Sequence, residues 1–375
     1  MTHCERIAAA IAVFTLVGCT PPPPEQQFVN DAMTALGGRS RVEAAKTLII
    51  EGKGVNYNLG QDMKPEAATQ TFDISGYVRK IDIANGRQRV EQTRTPKFAY
   101  FQGPQPQTQI QGLDGGVAFN INPAGQASRA ATAAEIDRRA EIYHHPLALL
   151  RAAIDPQTKV SNVRTVGAVR QADIITAAGP GVTMTIDAAG LPLSISSKAD
   201  NANLGDVVLT TTFSDYQDVS GLKLPAHFTG KVDEFTTWEI QATKQTLDAD
   251  LGDLAAPAAV AGKPAAAPPP SVTAENIGKG VWFLAGQSHH SVLVEFADHL
   301  MLIEAPQSEA RTLAVIAKAK ETVPGKPLTQ LVTTHHHFDH TAGMRAAIAE
   351  GMTVITQAGN KEWVENMARR PHTFQ

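Results

Sequence analysis

Thr334-His335-His336-His337-Phe338-Asp339-His340-Thr341-Ala342-Gly343 is the stretch on which the reading of this chain turns. Residues two apart on an extended segment point the same way, so His335 and His337 can offer imidazole nitrogens to one zinc ion. Asp339 and His340 follow where the loop enters a helix, and from there they face a second metal position. Gly343 lets that helix approach the loop closely, as a site packed against backbone requires. A purification-tag scar would sit at a terminus and would not be interrupted by Phe338 and Asp339. A metal site is the reading that uses every residue type in the run.

Working outward, Leu328 to Thr333 reads as a buried strand leading into the histidines, and a helix is expected from about Thr341 to Glu350. Val281 to Ala285, Ser291 to Phe296 and Leu300 to Glu304 are short β-rich runs. Ser308 to Lys320 places Leu313, Ile316 and Ala317 on one helical face. Val354 to Thr356 and Asn360 to Arg369 add a last strand and helix. This order, with T-H-x-H-x-D-H-x-x-G matched at every fixed position, resembles the N-terminal half of the αββα sandwich of metallo-β-lactamase-fold hydrolases. The resemblance implies a zinc-dependent hydrolase. Two zinc ions would share a hydroxide that attacks an ester, lactone, lactam or related bond. It implies His335, His337, Asp339 and His340 as metal ligands, with Asp339 also catalytic in orienting the nucleophile. His336 falls on a variable position and is expected to point away, toward solvent.

A complete dinuclear site needs a third histidine for the first zinc, a bridging carboxylate and a last histidine for the second. After His340 the chain offers only His372, Glu350, Glu362 and Glu365, none of them at a strand end. Half a sandwich also leaves the inner face of its sheet exposed. The expectation is a truncated gene product or a partial sequence that binds zinc weakly and hydrolyses little.

Two further stretches border this motif. Gln287-Ser288-His289-His290 lies between the first two of those strands, where either His289 or His290 could reach a substrate or where the run is simply a hairpin turn. Ile303-Glu304-Ala305-Pro306 stands where the resemblance expects a strand ending in Asp-Thr-Gly, so Glu304 would orient a zinc-bound histidine from behind.

The N-terminal part reads differently. From about Phe28 to Asp250 short alternating segments recur between turn signals: Val182 to Ile186, the turn Asp187-Ala188-Ala189-Gly190, then Leu191 to Ser196. Val207 to Phe213, His227 to Val232 and Thr236 to Thr243 are strand-like, while Ala32 to Leu36 and Pro146 to Ala153 read as helical. The fold class is thus α+β. A β-rich antiparallel domain at 28–252 and an Ala/Pro linker at 253–271 precede a truncated metallo-β-lactamase-like sandwich at 272–375. In layout the β domain resembles lipoprotein-localisation carriers, whose curved sheet cradles an acyl chain. A lipid cradle and a structural platform both remain open for it. His144-His145-Pro146 could be a metal pair or the polar start of the following helix.

The first twenty residues carry an apolar run, Ile7 to Val17, after a head containing Arg6. Leu16-Val17-Gly18-Cys19 resembles the lipobox of bacterial lipoproteins, which implies a signal peptide at 1–18 and lipidation of Cys19. The alternative is an ordinary secretory signal. Residues 19–27 would form an anchor and proline spacer. Thr20 after the cysteine favours the periplasmic face of the outer membrane. Among 375 residues, 33 basic against 37 acidic side chains give a net charge of −4 and no electrostatic footprint for nucleic acid. The expected partners are a small-molecule substrate and, through Cys19, a membrane. Two functions follow: a lipid-anchored zinc hydrolase, or an envelope lipoprotein whose β domain binds an apolar ligand beside a non-catalytic remnant.

Overall fold

A computed structural model describes residues 21–62, 70–99, 105–177, 179, 181–263 and 269–374. The signal peptide and Cys19 lie outside the described residues, as does part of the Ala/Pro stretch.

Period-two alternation builds one antiparallel sheet of thirteen strands. Its two halves are consecutive meanders, running from Thr47–Tyr57 to Ala127–Arg129 and from Lys159–Val166 to Phe235–Leu247. They join where the first strand meets the last, with Leu48 opposite Leu247 and Val55 opposite Glu239. The expected hairpin is present as Gly181–Ile186 and Pro192–Asn201. At its turn Asp187 accepts from the amides of Ala189 and Leu191, and Gly190 takes φ 89°. On one side the sheet packs on the helices Pro24–Ala35 and Pro146–Ala153, each with proline at its first turn. Phe28, Ala32, Met33, Leu147, Leu149 and Leu150 fill that core.

His144 and His145 precede the second of these helices, and the structure does not join them as a metal pair. His144 is buried between Thr211 Oγ1 at 3.0 Å and Ser197 Oγ at 2.9 Å. His145 is fully buried beside Phe228, makes no cap hydrogen bond, and neither ring nitrogen has a partner among the described residues. Burial, aided by the nearby Arg79 charge, pushes both imidazoles down to about 3. The sign follows from linkage: above pH 6.5 both states hold these rings neutral, and below it the unfolded chain binds protons that the folded chain refuses. Stability should therefore fall between pH 6.5 and 4.5 by about 1.4 kcal/mol per pH unit for each histidine. His145→Leu should remove roughly one proton from that slope, as read from denaturant midpoints across the range.

The C-terminal region forms a six-stranded mixed sheet in chain order: Thr273–Gly278, Val281–Ala285, Ser291–Glu295, Leu300–Ile303, Leu328–Val332 and Thr353–Ile355. The first four pair antiparallel, the last two parallel to their neighbours. Thr273–Gly278 is an edge strand that the sequence does not announce, because Thr-Ala-Glu-Asn-Ile-Gly has no alternation and stays exposed. The helix expected from Ser308 is Glu309–Thr322, capped by Ser308, but its buried face is rotated from the one expected. Thr312, Val315, Ile316 and Ala319 are buried, whereas Leu313 is 47% exposed. Fully buried Arg311 and Thr312 displace the apolar stripe around the helix. The helix expected at 341–350 breaks into Phe338–Thr341 and Met344–Ala349 around Gly343.

The Ala/Pro stretch is not wholly featureless: Ala258–Ala261 is a helical turn whose Val260 is 0% exposed. The β domain and the C-terminal region also meet. Phe338 packs with Leu59, Leu204, Val207 and Val232 in a small third cluster. Arg370 donates to Asp233 at 2.6 Å and to the Asp206 carbonyl at 2.7 Å, strapping the chain's end to the sheet.

Candidate metal centre

Strand Leu328–Val332, paired on both sides, delivers the histidine loop from its C-terminal end, and the short helix Phe338–Thr341 turns it back. Gly343 allows that turn. A Cβ there would lie 1.9 Å from Thr312 Oγ1 and 2.7 Å from the Ser308 carbonyl, so the loop sits directly on the Glu309–Thr322 helix.

Two groups of ligand atoms come within 4.8 Å of one another: His289 with Asp339 and His340, and Glu304 with His335 and His340. His340 stands between them. Its Nδ1 is 3.4 Å from Glu304 Oε2 and its Nε2 is 4.0 Å from Asp339 Oδ2. His335 is held from behind through Thr334. The Thr334 hydroxyl and amide both donate to Glu304 Oε1, and the same hydroxyl meets His335 Nδ1 at 2.9 Å. With its hydrogen committed to the carboxylate, that hydroxyl accepts from His335 Nδ1–H, which leaves the lone pair of His335 on Nε2. Glu304 takes a left-handed φ of 70° at the strand's end to make these contacts.

Charge is arranged to match. Burial works against ionised Glu304 and Asp339, but hydrogen bonds and the His340 charge outweigh it, so both carboxyls sit below their ordinary range. The Glu304 hydrogen bond holds His340 above its ordinary value. Burial and neighbouring imidazoles push His335 and His337 down, toward the neutral form that coordinates metals.

The β domain reaches into this centre, which the sequence did not foretell. The turn after strand Thr47–Tyr57 seats on the loop: Gly60 carbonyl accepts from Phe338 N at 3.1 Å, and Gln61 Nε2 donates to Asp339 Oδ1 at 2.7 Å. Gly60 at φ 80° lies flat against the Phe338 ring. The Asp62 carbonyl is 2.8 Å from His336 Nε2 and 3.2 Å from His337 Nε2. His336 therefore does not face solvent; it is 8% exposed, because a neighbouring domain covers it and supplies an acceptor. His337 is in neither three-residue group, its Nε2 being directed at Asp62. Asn203 Nδ2 adds a hydrogen bond to Thr341 Oγ1 at 2.8 Å. Of the loop pair, His289 Nε2 lies 3.0 Å from Asp339 Oδ2. His290 turns away, accepting from Gly286 N at 3.3 Å and packing edge-on to Phe283. Gln61 and Asp62 carry no motif that would mark them in advance, and they lie more than 270 residues from their partners; Thr334 opens the histidine motif, but its bond to Glu304 is visible only in the fold.

Whole-chain similarity to solved structures is slight. A LolA superfamily protein from Nitrosomonas europaea is 10% identical over 60% of this chain and 94% of that one, with a TM-score of 0.37. A putative outer membrane lipoprotein-sorting protein domain from Vibrio parahaemolyticus is 8% identical over 60% and 94%, at 0.36. LprF from Mycobacterium bovis is 10% identical over 64% and 99%, at 0.24. The family match lies elsewhere, on the part of the chain that bears the histidine loop: residues 285–355 match the metallo-beta-lactamase superfamily.

Proposed function

We propose that the protein is a zinc-dependent hydrolase whose C-terminal region carries the reacting centre and whose β domain walls it. The observation that carries this reading is the gathering of His289 and Asp339 on one side of His340, and of Glu304 and His335 on the other, into two three-residue groups that share it. The donors fit a metal: Glu304 Oε2 and His340 Nδ1 are buried and face each other at 3.4 Å, a carboxylate and an imidazole of the kind that share an ion. Zinc bound there would supply a Lewis acid and an acidified water. Gln61 holds Asp339 Oδ1, which leaves Oδ2 turned toward His289 and His340. Glu304 and Thr334 fix the ring of His335, and the turn at Gly60 to Asp62 shields the loop from bulk water on one side.

A lipid-binding β domain is less well supported. The cavity of about 320 Å³ between the sheet and helix Thr132–Tyr143 sets Asp137, Arg138, Glu141 and Lys231 beside Leu209, Val232 and Trp238, a mixed lining whose charged groups an acyl chain would have to desolvate. The lipobox-like run ending in Cys19 supports an envelope location with a lipid anchor, and a small-molecule substrate remains the proposed partner.

The test is reconstitution of the full chain. Counting motif ligands alone predicts weak zinc binding and little turnover; with Glu304 and His289 beside the motif, zinc added to chelated protein should produce hydrolysis of at least one compound in a panel of esters, thioesters, lactones, lactams and phosphoesters, and chelation should remove it. A protein extracted from the envelope should carry an acylated Cys19 by mass spectrometry. Absence of any zinc-dependent turnover across the panel would overturn the hydrolase reading.

A further inference from the structure

We infer that His289 is a metal ligand, completing a three-residue coordination group with Asp339 and His340 that the histidine motif alone does not contain. The inference rests on the metal reading above and refines it. His289 belongs to the loop between strands Val281–Ala285 and Ser291–Glu295, outside the motif. Its Nε2 points into the centre, 3.0 Å from Asp339 Oδ2, which in turn lies 4.0 Å from His340 Nε2. Tetrahedral bonds of about 2.1 Å place neighbouring donors about 3.4 Å apart, between these two separations.

The far side of the ring is held as a ligand's would be. His289 Nδ1 is 3.1 Å from Ser288 Oγ, and Ser288 Oγ accepts from Gln307 Nε2 at 2.6 Å. An Nδ1–H donated to that hydroxyl leaves the Nε2 lone pair facing Asp339 and His340. Gln307 belongs to the same frame, since its amide donates to the Asp339 carbonyl at 3.0 Å. One residue therefore steadies both the loop and the carboxylate's backbone. The loop also takes left-handed φ at Gln287 and His289, 56° and 59°, a conformation unfavourable for residues with a Cβ. That cost has a purpose if the turn exists to aim the ring.

His337 makes the need plain. Its Nε2 is directed at the Asp62 carbonyl, and it stands outside both ligand groups. With His337 engaged by the β domain, His289 is the residue that joins Asp339 and His340 in one three-residue group.

The experiment uses the full chain, freed of metal by chelation and titrated with Co(II), with affinity from chelator competition and coordination from the visible absorption of the bound ion. His289→Ala should weaken binding by about 100-fold and change the Co(II) spectrum. Ser288→Ala should weaken it by roughly tenfold, as loss of an outer hydrogen bond does. His290→Ala should match the parent, because its ring is occupied by Gly286 and Phe283. His289 sits in a part-exposed loop, and circular dichroism of the variant checks that it folds. Wild-type affinity and spectrum in His289→Ala, alongside lost binding in His340→Ala, would overturn the inference and leave the metal reading standing. A chain that binds no Co(II), or whose His340→Ala variant binds it unchanged, would overturn both.

Discussion

Hydrolysis by the zinc-loaded chain is expected to fall to the level of the chelated protein when Asp339 is replaced by alanine. Asp339 is the residue on which the centre's contacts converge: Gln61 holds Oδ1, His289 meets Oδ2, and His340 Nε2 lies 4.0 Å from that second oxygen. Alanine leaves all three without their carboxylate, and the loss of an anion beside the imidazoles of His289 and His340 also weakens whatever cation they hold. The effect should be chemical rather than structural. Asp339 is half-buried, and the main β-domain core and the C-terminal core are separate clusters that do not include it. Zinc content, turnover and thermal unfolding measured together check this: metal and activity lost, β-domain unfolding unchanged. Gln61→Ala removes the hydrogen bond to Asp339 Oδ1 and should cost about tenfold, in the range of outer-shell contacts to metal ligands. Full activity in Asp339→Ala would remove the residue from the site.

Gly343→Ala should destabilise the C-terminal region by about 3 kcal/mol, at the upper end of what an added methyl costs in a packed interior. The backbone at Gly343 has an ordinary φ of −102°, so the whole penalty is one of space. The new Cβ would meet Thr312 Oγ1 at 1.9 Å, Thr312 Cβ at 2.5 Å and the Ser308 carbonyl at 2.7 Å. Thr312 is fully buried, and Ser308 is the cap of the helix, so neither neighbour has room to retreat. The loop must move instead, breaking the Gly343 amide bond to the Ala305 carbonyl at 2.9 Å and carrying Asp339 and His340 with it. Metal affinity should fall with stability. Trp282 and Trp363 report this region and Trp238 the β domain, so single-tryptophan versions followed in denaturant separate the two transitions. Thr312→Ala in the same chain removes the nearest clashing atom and should restore part of the loss; the Ser308 carbonyl keeps the rescue incomplete. A wild-type transition in Gly343→Ala would show that the close approach is not needed.

Much of this was legible along the chain. The motif residues and the need for a glycine at 343 follow from spacing, because two-residue and helical periodicities are properties of neighbours. The strands His227–Val232 and Val281–Ala285 and the helix Pro146–Ala153 could be read with their ends, since alternation, turn glycines and a helix-starting proline are local signals. The exposed edge strand Thr273–Gly278 could not, as nothing buried imposes a pattern on it.

What only the folded chain decided is who meets whom. Helix Glu309–Thr322 carries apolar residues on more than one side, and the choice of Val315 and Ala319 over Leu313 was made by the sheet it packs on. His336 was expected at the surface because its own neighbours leave it there; it is buried because Asp62, 274 residues away, comes down on it. Gln61 became part of the centre in the same way, through the pairing of the chain's central strands and the seating of Gly60 on Phe338. The amino-acid sequence by itself determined the residue types of the candidate metal centre and the local elements that carry them, since both depend on short-range geometry. The tertiary structure alone decided the second wall of the site and the turning of His337 from the motif and His289 toward it, because those depend on contacts between segments whose separation in sequence carries no periodic trace.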